Sequence, residues 1–308
     1  MPKLISSALL TLAAAGAAVP AIPGGPAPAV TEFVGSTPCD EPARRFLGIS
    51  DAACEQITWE LALANDPAGR PFELRARYRM PIPGSPNHLD AGTALQVRGV
   101  WTSAPGTGAH KGRTMYTLTT DGKALRFALL EQDLLHLLTS DSRLMVGNAG
   151  WSYTLNPRAA STAGDARRME AVDSIARDLA GEFEGRTPCQ EISKQLNLAV
   201  DAGCTKLKWG LTLFQDAATG RPAAYKLDGT LYRDGRLHRA APRTGTWSVL
   251  RDPSSGALIY RLDRDEPGDY LLLIRADENV LFFLDKRGNA LVGDRSHSYT
   301  LNRTERRD

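Results

Sequence analysis

Two halves of this chain match each other in order, so one protein module has been duplicated and its fold must occur twice. Phe33–Cys39 returns as Phe183–Cys189, and Cys54–Leu63 returns as Cys204–Leu213. Shorter matches follow in the same order: Gly69-Arg70-Pro71 with Gly220-Arg221-Pro222, Gly99-Val100-Trp101 with Gly245-Thr246-Trp247, Tyr116-Thr117-Leu118 with Tyr260-Arg261-Leu262, and Tyr153-Thr154-Leu155-Asn156 with Tyr299-Thr300-Leu301-Asn302. We therefore predict module 1 at residues 33–157 and module 2 at residues 183–303.

Each module has the sequence pattern of a β-protein. Residues 57–63 alternate apolar side chains with Thr, Glu and Ala, which is the period of a strand with one buried face. Short apolar runs separated by Asp, Gly, Asn and Ser follow in both copies, and residues 286–289 have the Gly and Asn of a hairpin turn. The pattern predicts a mainly β fold, with about six to eight short antiparallel strands per module closed into a small barrel or sandwich.

The connection between the modules, residues 158–182, has a different pattern. Met169, Val172, Ala176 and Leu179 are spaced as on one face of a helix, with charged residues elsewhere. We predict a linker helix over 165–180 that docks on one module. A helix lying on a membrane surface is the alternative, but its polar face would then be basic, whereas the charges here are mixed.

The first residues, 1–21, have the organisation of a signal peptide. Lys3 precedes an apolar run over residues 4–18, and small residues surround Ala21, where a signal peptidase would cleave. A membrane anchor is the alternative, but this run is shorter than the roughly 20 residues that span a bilayer. No Cys that could carry a lipid follows the cleavage site, since the first in the chain is Cys39. We therefore expect a bacterial protein exported to the periplasm or the medium, without a membrane span.

Two further segments are predicted to lie outside the modules. Residues 22–32 begin with a Pro- and Gly-rich stretch, a composition that favours an extended linker. Residues 304–308 form a short, charged tail that is expected to be solvated.

The charge balance excludes one class of partner. The chain has 37 Lys and Arg against 35 Asp and Glu, a formal net charge of +2. Proteins that bind nucleic acid or anionic lipid through electrostatics need clustered cations to neutralise many phosphates. We therefore expect no nucleic-acid partner.

The cysteines are predicted to form structural disulfides. Fourteen residues lie between Cys39 and Cys54, and again between Cys189 and Cys204. An even number of Cys in an exported chain indicates disulfides, and although four Cys allow three connectivities, duplication favours pairing within each copy. Each pair would enclose a short helix, at residues 42–49 and 191–200. The alternative is metal sequestration, for instance of Cu(I), by free thiolates.

A search for catalytic groups finds no assembled set. Asp294, Ser296, His297 and Ser298 lie close together, but neighbours on a strand point to opposite faces. The sequence has no phosphate loop, dinucleotide fingerprint or His-Glu-x-x-His motif. We predict a non-enzymatic protein without a cofactor or a metal site. A hydrolase that uses His297 in module 2 alone is the alternative.

Six matched aromatic residues are the candidate ligand site. Aromatic side chains in the mouth of a small barrel can line a ligand cavity, although such residues more often form the core. The candidates are Trp59, Trp101, Tyr153, Trp209, Trp247 and Tyr299.

The order of motifs resembles the N-terminal domain of the copper-resistance lipoprotein NlpE family. The motifs are the Phe-x-Gly-x-Thr-Pro-Cys of Phe33–Cys39, the Gly-x-Trp of residues 99–101, a Tyr-x-Leu strand and a closing Tyr-x-Leu. The resemblance implies a lipocalin-like β-barrel in each module and a role in binding or in sensing envelope stress or copper. The family's Cys-x-x-Cys is opened here by a long insert.

These observations lead to one expectation for function. We expect a periplasmic tandem barrel that binds a partner protein or a small apolar ligand and reports on the condition of the envelope.

Overall fold

Both modules are closed eight-stranded antiparallel barrels in the computed structural model. The structure describes residues 29–66, 69–85, 88–159, 165–172, 179–196, 203–233, 236–239, 241–264 and 268–305. Module 1 is built from β1 (Ala29–Pro38), β2 (Gln56–Asn65), β3 (Pro71–Arg79), β4 (Thr93–Pro105), β5 (Thr114–Thr120), β6 (Lys123–Leu129), β7 (Leu135–Leu137) and β8 (Thr154–Pro157). Each strand pairs with the next, and β8 pairs with β1 to close the barrel.

Module 2 repeats this ring and adds to it. Its connecting and barrel strands are β9 (Glu170–Ala171), β10 (Gly181–Thr187), β11 (Cys204–Gln215), β12 (Pro222–Arg233), β13 (Arg236–Arg239), β14 (Arg243–Arg251), β15 (Leu258–Asp263), β16 (Tyr270–Arg275), β17 (Val280–Leu284) and β18 (Thr300–Arg303). The ring closes through pairing of β10 with β18 and of β12 with β14. β13 extends β12 beyond the ring, and β9 pairs with β14.

The disulfide pairing within each copy is confirmed. Cys39 bonds to Cys54 and Cys189 bonds to Cys204, each with a sequence separation of 15. The enclosed segments contain the helices α1 (Ala43–Leu47) and α2 (Gln190–Gln195), and short 3₁₀ turns lie at Gly108–His110 and Glu131–Asp133. Leu196, which follows α2, is buried, and residues 197–200 of the predicted helix lie outside the described residues. Two disulfides indicate a compartment outside the reducing cytoplasm.

The predicted linker helix is wrong in its described part. Residues 165–172 are extended, and Glu170 and Ala171 pair with Arg251 and Leu250 of β14. The backbone of this segment finds hydrogen-bond partners along β14, and partly buried Met169 and Val172 pack on neighbouring cores, which an extended segment achieves without a helix. Residues 173–178 lie outside the described part of the chain.

The predicted linker at 22–32 is also too long. Strand β1 begins at Ala29, and residues 29–32 pair with residues 62–65 of β2. Their side chains are exposed, so no apolar pattern marks them, and backbone pairing alone defines the strand. The predicted signal peptide lies outside the described residues. Within the described ranges, no helix has the length and apolar character that would allow it to cross a membrane.

The two barrels pack against each other through equivalent surfaces. Ser152 Oγ lies 2.6 Å from Ser298 Oγ, and Thr154 Oγ1 lies 3.2 Å from Thr300 Oγ1, so each residue meets its own counterpart 146 positions away. A buried apolar layer adjoins these contacts, with residues from β6 and the loops around β7 of module 1 and from β16 and β17 of module 2. We call this contact surface the seam. A pseudo-twofold axis that relates module 1 to module 2 passes through it.

Two matched asparagines bind the modules together, but not equally. Asn156 accepts a hydrogen bond from Gly293 N (2.8 Å) and donates one to Asp294 O (2.8 Å). Asn302 accepts one from Gly147 N (2.8 Å), while its Nδ2 is buried and has no partner in the described part of the chain. Asn156 therefore makes one more bond across the seam than its counterpart does.

We expect Asn156→Ala to lower the free energy of unfolding by about 2 kcal/mol and Asn302→Ala by about 1 kcal/mol, because the first change removes two hydrogen bonds across the seam and the second removes one, at about 1 kcal/mol for each bond. Urea unfolding of both variants measures the difference. An Asn302→Ala variant that is the less stable of the two would contradict this account of the seam.

Candidate functional site

The two innermost tryptophans fill the barrels. Trp59 is fully buried and donates from Nε1 to Thr37 Oγ1 at 2.9 Å. Trp209 donates in the same way to Thr187 Oγ1 at 2.9 Å. Each indole is thus satisfied within an apolar core, as a buried Trp requires.

The other four candidate aromatics are buried as well. Trp101 and Trp247 donate to the backbone oxygens of Ala64 (2.9 Å) and Phe214 (2.7 Å). Tyr153 donates to Asp40, and Tyr299 accepts from the backbone of Glu191 in α2; burial raises the pKa of Tyr299. Trp247 also borders a surface groove of about 270 Å³. The six side chains pack in two separate cores, and the structure does not bring them together around one cavity.

The residues around His297 form a turn and part of the seam. Asp294 Oδ1 accepts hydrogen bonds from the backbone N–H groups of Ser296 (2.7 Å) and His297 (2.9 Å), which forms a turn. Ser298 Oγ bonds to Ser152 and Thr300 in the seam. Burial lowers the pKa of His297 to about 4, so its ring is neutral at pH 7. The nucleophile, base and orienting acid that a hydrolase needs are not hydrogen-bonded to one another.

Copper, which the family resemblance implies, does not fit the residues present. Cu(I) selects soft thiolate and thioether donors. The sulfur atoms of all four cysteines are bonded in pairs, and no group of three or more His, Cys, Asp or Glu among the described residues is placed to hold a metal. The cysteines therefore act here as structural links.

A polar cleft opens beside the seam around Arg113. This side chain reaches from module 1 to module 2, where Nη2 donates to Ala276 O at 2.6 Å, and its Nη1 lies 3.4 Å from His110 Nδ1. A cavity of about 190 Å³ lies on one side of this bridge, lined by Thr139, Ser142, Arg143, Asp277, Glu278 and Asn279. A second cavity, of about 300 Å³, lies on the other side, next to Leu129, Ile274 and Phe282. We call the 190 Å³ cavity the Arg113 cleft.

Two charged groups of the cleft, Arg113 and Asp277, are partly desolvated. Burial lowers the pKa of Arg113, which stays protonated, while the carboxylates of Asp277 and Glu131 act in the opposite direction. Burial raises the pKa of Asp277, whose Oδ1 accepts backbone hydrogen bonds from Asn279 (2.8 Å) and Val280 (2.9 Å). A guanidinium fork in such a place binds a carboxylate more strongly than it would in water.

The equivalent position across the pseudo-twofold axis is closed. Glu131, the counterpart of Asp277, bonds to Arg167 of the linker, and Arg167 Nη1 lies 3.2 Å from Asp252 Oδ2. Hydroxyls of Ser254 and Ser255 also donate to Asp252, which lowers the pKa of that carboxyl although burial opposes the change. The linker therefore neutralises one side of the seam and leaves the Arg113 side open.

Sequence reasoning missed Arg113 and Asp277. The signal that could have found Arg113 is a difference between the copies: strand pairing places it where module 2 has Ala257, since Gly106 N bonds to Arg113 O as Asp252 N bonds to Ala257 O. Residues that match between the modules belong to the core that both share. Polar residues that occur in one module only are candidates for a site that the other module lacks.

A second charged region covers the outer face of module 1. Arg295, from the turn before β18, pairs with Glu60 at 2.7 Å, and Arg158 pairs with Glu32 at 3.1 Å. Two grooves of about 230 and 370 Å³ run along this face. Its ion pairs are exposed to solvent and mutually compensated, so they contribute little net binding energy.

Comparison of the chain with protein-family models, curated proteins and solved structures gave no match. The functional argument therefore depends on the geometry of this chain.

Proposed function

We propose that this chain is an exported, non-enzymatic binding protein that holds a small ligand bearing a carboxylate in the Arg113 cleft. The observation that carries the proposal is the partly buried guanidinium of Arg113 at the border of a cavity that residues of both modules line. The apolar-ligand version of the expectation has less support, because the candidate aromatic residues are packed in the cores.

The charges around the cleft narrow the ligand class. Arg113 favours a carboxylate, while Asp277 and Glu278 on the facing turn of module 2 favour an amino group. Ser142, Thr139 and Asn279 add hydroxyl and amide groups that fix orientation. A free amino acid or a short peptide carries both charges and matches this lining.

The ligand would join both modules, since the cleft is lined from both sides of the seam. Any molecule that binds the folded pair and not the unfolded chain stabilises it. Such coupling would let a periplasmic partner protein distinguish the filled state from the empty one. A report on envelope condition, which the family resemblance implies, would use this difference.

We expect thermal-shift measurements with the standard L-amino acids and a set of dipeptides to find a compound that raises the melting temperature. Arg113→Gln should weaken the binding of that compound by roughly tenfold to a hundredfold, because it removes a charge-assisted hydrogen bond worth about 1.5 to 3 kcal/mol. Arg98→Gln is the matched control, since Arg98 is an exposed arginine paired with Glu73 at 3.5 Å outside the cleft.

Two results would refute the proposal. One is a wild-type protein whose melting temperature no compound of the panel changes. The other is an Arg113→Gln variant that binds the selected compound as tightly as the Arg98→Gln control does.

A further inference from the structure

One face of module 2 carries cations where module 1 carries small polar groups. Ser36 of β1 corresponds to Arg186 of β10 in the repeat, and Thr58 of β2 corresponds to Lys208 of β11. The two modules fold alike at these positions, because Ser36 pairs with Thr58 and Arg186 pairs with Lys208 in the same register. The difference therefore concerns chemistry and not the fold.

In module 1 an ion pair fills the space in front of this face. Arg295 arrives from module 2 and lies 2.7 Å from Glu60, and Ser36 Oγ donates to the backbone oxygen of Arg295 at 2.9 Å. The repeat replaces Glu60 by Gly210 and Arg295 by Ala149. A Cβ atom added at Gly210 would meet nothing within 4 Å. Module 2 therefore has no charged side chain at the positions of Glu60 and Arg295, and the space above Gly210 is open.

Three cations border this open place. Arg186 and Lys208 stand directly opposite each other on neighbouring strands, an arrangement in which like charges repel. Lys206 lies two residues before Lys208 on the same face of β11. Burial lowers the pKa of Lys206, and the charges of Arg186 and Lys208 lower it further.

Carboxylates near the face offset these charges only in part. Glu184 and Glu55 lie within electrostatic range of Arg186, yet burial dominates and the pKa of Arg186 is lowered. Asp228, which pairs with Gly210 across the strands, forms its own ion pair with Lys226 at 2.8 Å.

Two buried nitrogens at this face lack partners. Arg186 Nε and His297 Nδ1 are shielded from solvent and make no hydrogen bond within the part of the chain that the structure describes. The His297 ring is within electrostatic range of Arg186 and Lys206. Arg186 Nε always carries a proton, and buried N–H groups are nearly always satisfied, so an acceptor is expected here.

We propose that Arg186, Lys206, Lys208 and His297 form a binding site for a phosphate group, in the place that Glu60 and Arg295 occupy in module 1. A phosphate dianion offers several acceptor oxygens in different directions, which matches cations that approach from two strands and from the turn at His297. The phosphate could be a free ion or part of a phosphomonoester. The site is separate from the Arg113 cleft and does not depend on the function proposed for it.

Calorimetric titration with inorganic phosphate and with glycerol 1-phosphate at low salt tests the proposal. We expect saturable binding to the wild type that weakens as salt screens the charges. Arg186→Ser installs the residue that module 1 uses and should weaken binding at least tenfold. Gly210→Glu places a carboxylate in the open space, as in module 1, and should abolish binding. Lys123→Gln, an exposed cation of module 1, is the control and should bind like the wild type.

Thermal unfolding first establishes that each variant is folded. The ¹⁵N chemical shift of His297 Nδ1 in the wild type gives an independent readout and should move on titration with phosphate. Tighter binding of glycerol 1-phosphate would identify a phosphomonoester, and equal or weaker binding would identify the free ion. The absence of saturable binding, or equal binding by Arg186→Ser and Lys123→Gln, would overturn the proposal.

Discussion

Replacing Trp59 with alanine lowers the free energy of unfolding by about 3 to 5 kcal/mol, the range for removing a large aromatic from a core. The Trp59 indole is fully buried, and its N–H bonds to Thr37 in the same barrel. The change would leave a large cavity between β1, β2 and β3, because Trp59 stands opposite Gly35 and Ala76, which have no bulk to fill it. It would also leave the Thr37 hydroxyl without its donor.

Urea unfolding of Trp59→Ala and Trp59→Phe separates these two contributions. Phenylalanine keeps an apolar ring but cannot donate a hydrogen bond. Trp59→Phe should therefore lose less free energy of unfolding than Trp59→Ala, and that loss measures the hydrogen bond together with the smaller change in side-chain volume. Trp209→Ala should behave like Trp59→Ala, since Trp209 makes the same bond to Thr187. A loss below about 1 kcal/mol for Trp59→Ala would mean that this core is not closely packed.

Acidification from pH 7 to pH 4 should remove about 3 kcal/mol of stability through His136. Its side chain is fully buried in the seam, against Phe282 of the other module with the ring centroids 6.2 Å apart. Burial lowers its pKa to about 4, and the nearby Arg113 and His110 act in the same direction. The unfolded chain, with a His pKa near 6.5, binds more protons between these values. The stabilisation is therefore complete above about pH 6.5 and is lost as the pH falls toward 4.

Burial makes the neutral form of His136 the preferred one, and its hydrogen bonds fix which ring nitrogen carries the proton. Nε2 lies 2.8 Å from Met145 O, which can only accept, so Nε2 carries the proton. Nδ1 then accepts from Thr154 Oγ1 at 2.9 Å, and Thr154 is followed by Thr300 in the seam. A second proton on Nδ1 would have to reverse this chain of hydroxyl groups in a place shielded from solvent.

The variant His136→Phe tests this account, because Phe282 is the residue that module 2 carries at the matching position. It should be less stable at neutral pH, since Met145 O and Thr154 lose a partner, but its stability should fall less between pH 7 and 4. The difference between the two slopes is the readout, because carboxylates and His297 titrate in both proteins. Parallel pH curves for wild type and variant would show that His136 is not the group responsible.

The repeat and the strand pattern predicted most of the fold. The matches that begin at Phe33 and Phe183 defined both modules, because the core positions of a barrel are the ones that duplication preserves. The pairing of Cys39 with Cys54 followed from the equal spacing of the second pair. The closure of each module into a ring of eight strands depends on which strands pair through their backbones. The apolar pattern limits the number of strands to about six to eight but does not specify this pairing.

The linker was the failure among the elements. Met169 and Val172 have a spacing that fits a helix, but the same residues also fit an extended segment whose side chains reach two neighbouring cores. The spacing of apolar residues shows which side chains will be buried. It does not show against which part of the protein they will pack. The pairing of Glu170 with β14 is a tertiary contact that no local pattern contains.

The candidate sites were the hardest part to predict. The aromatic residues were the obvious candidates because they occur in both modules. They occur in both modules, however, because both barrels need them to fill the core. Arg113 and Arg186 have no aromatic or motif around them, and each gains meaning only from what lies across the seam. The contact between modules, and hence every site on it, depends on a docking arrangement that the repeat does not specify.

The pseudo-twofold seam has a consequence for symmetry. A homodimer of one module would build every feature of its interface twice, because each substitution appears in both subunits. Fusion into one chain removes this restriction, so Glu60 with Arg295 can close one side while Gly210 and Arg186 leave the other side open. A tandem pair of modules keeps the interface of a symmetric dimer. It can nevertheless carry a single binding site of each kind per chain.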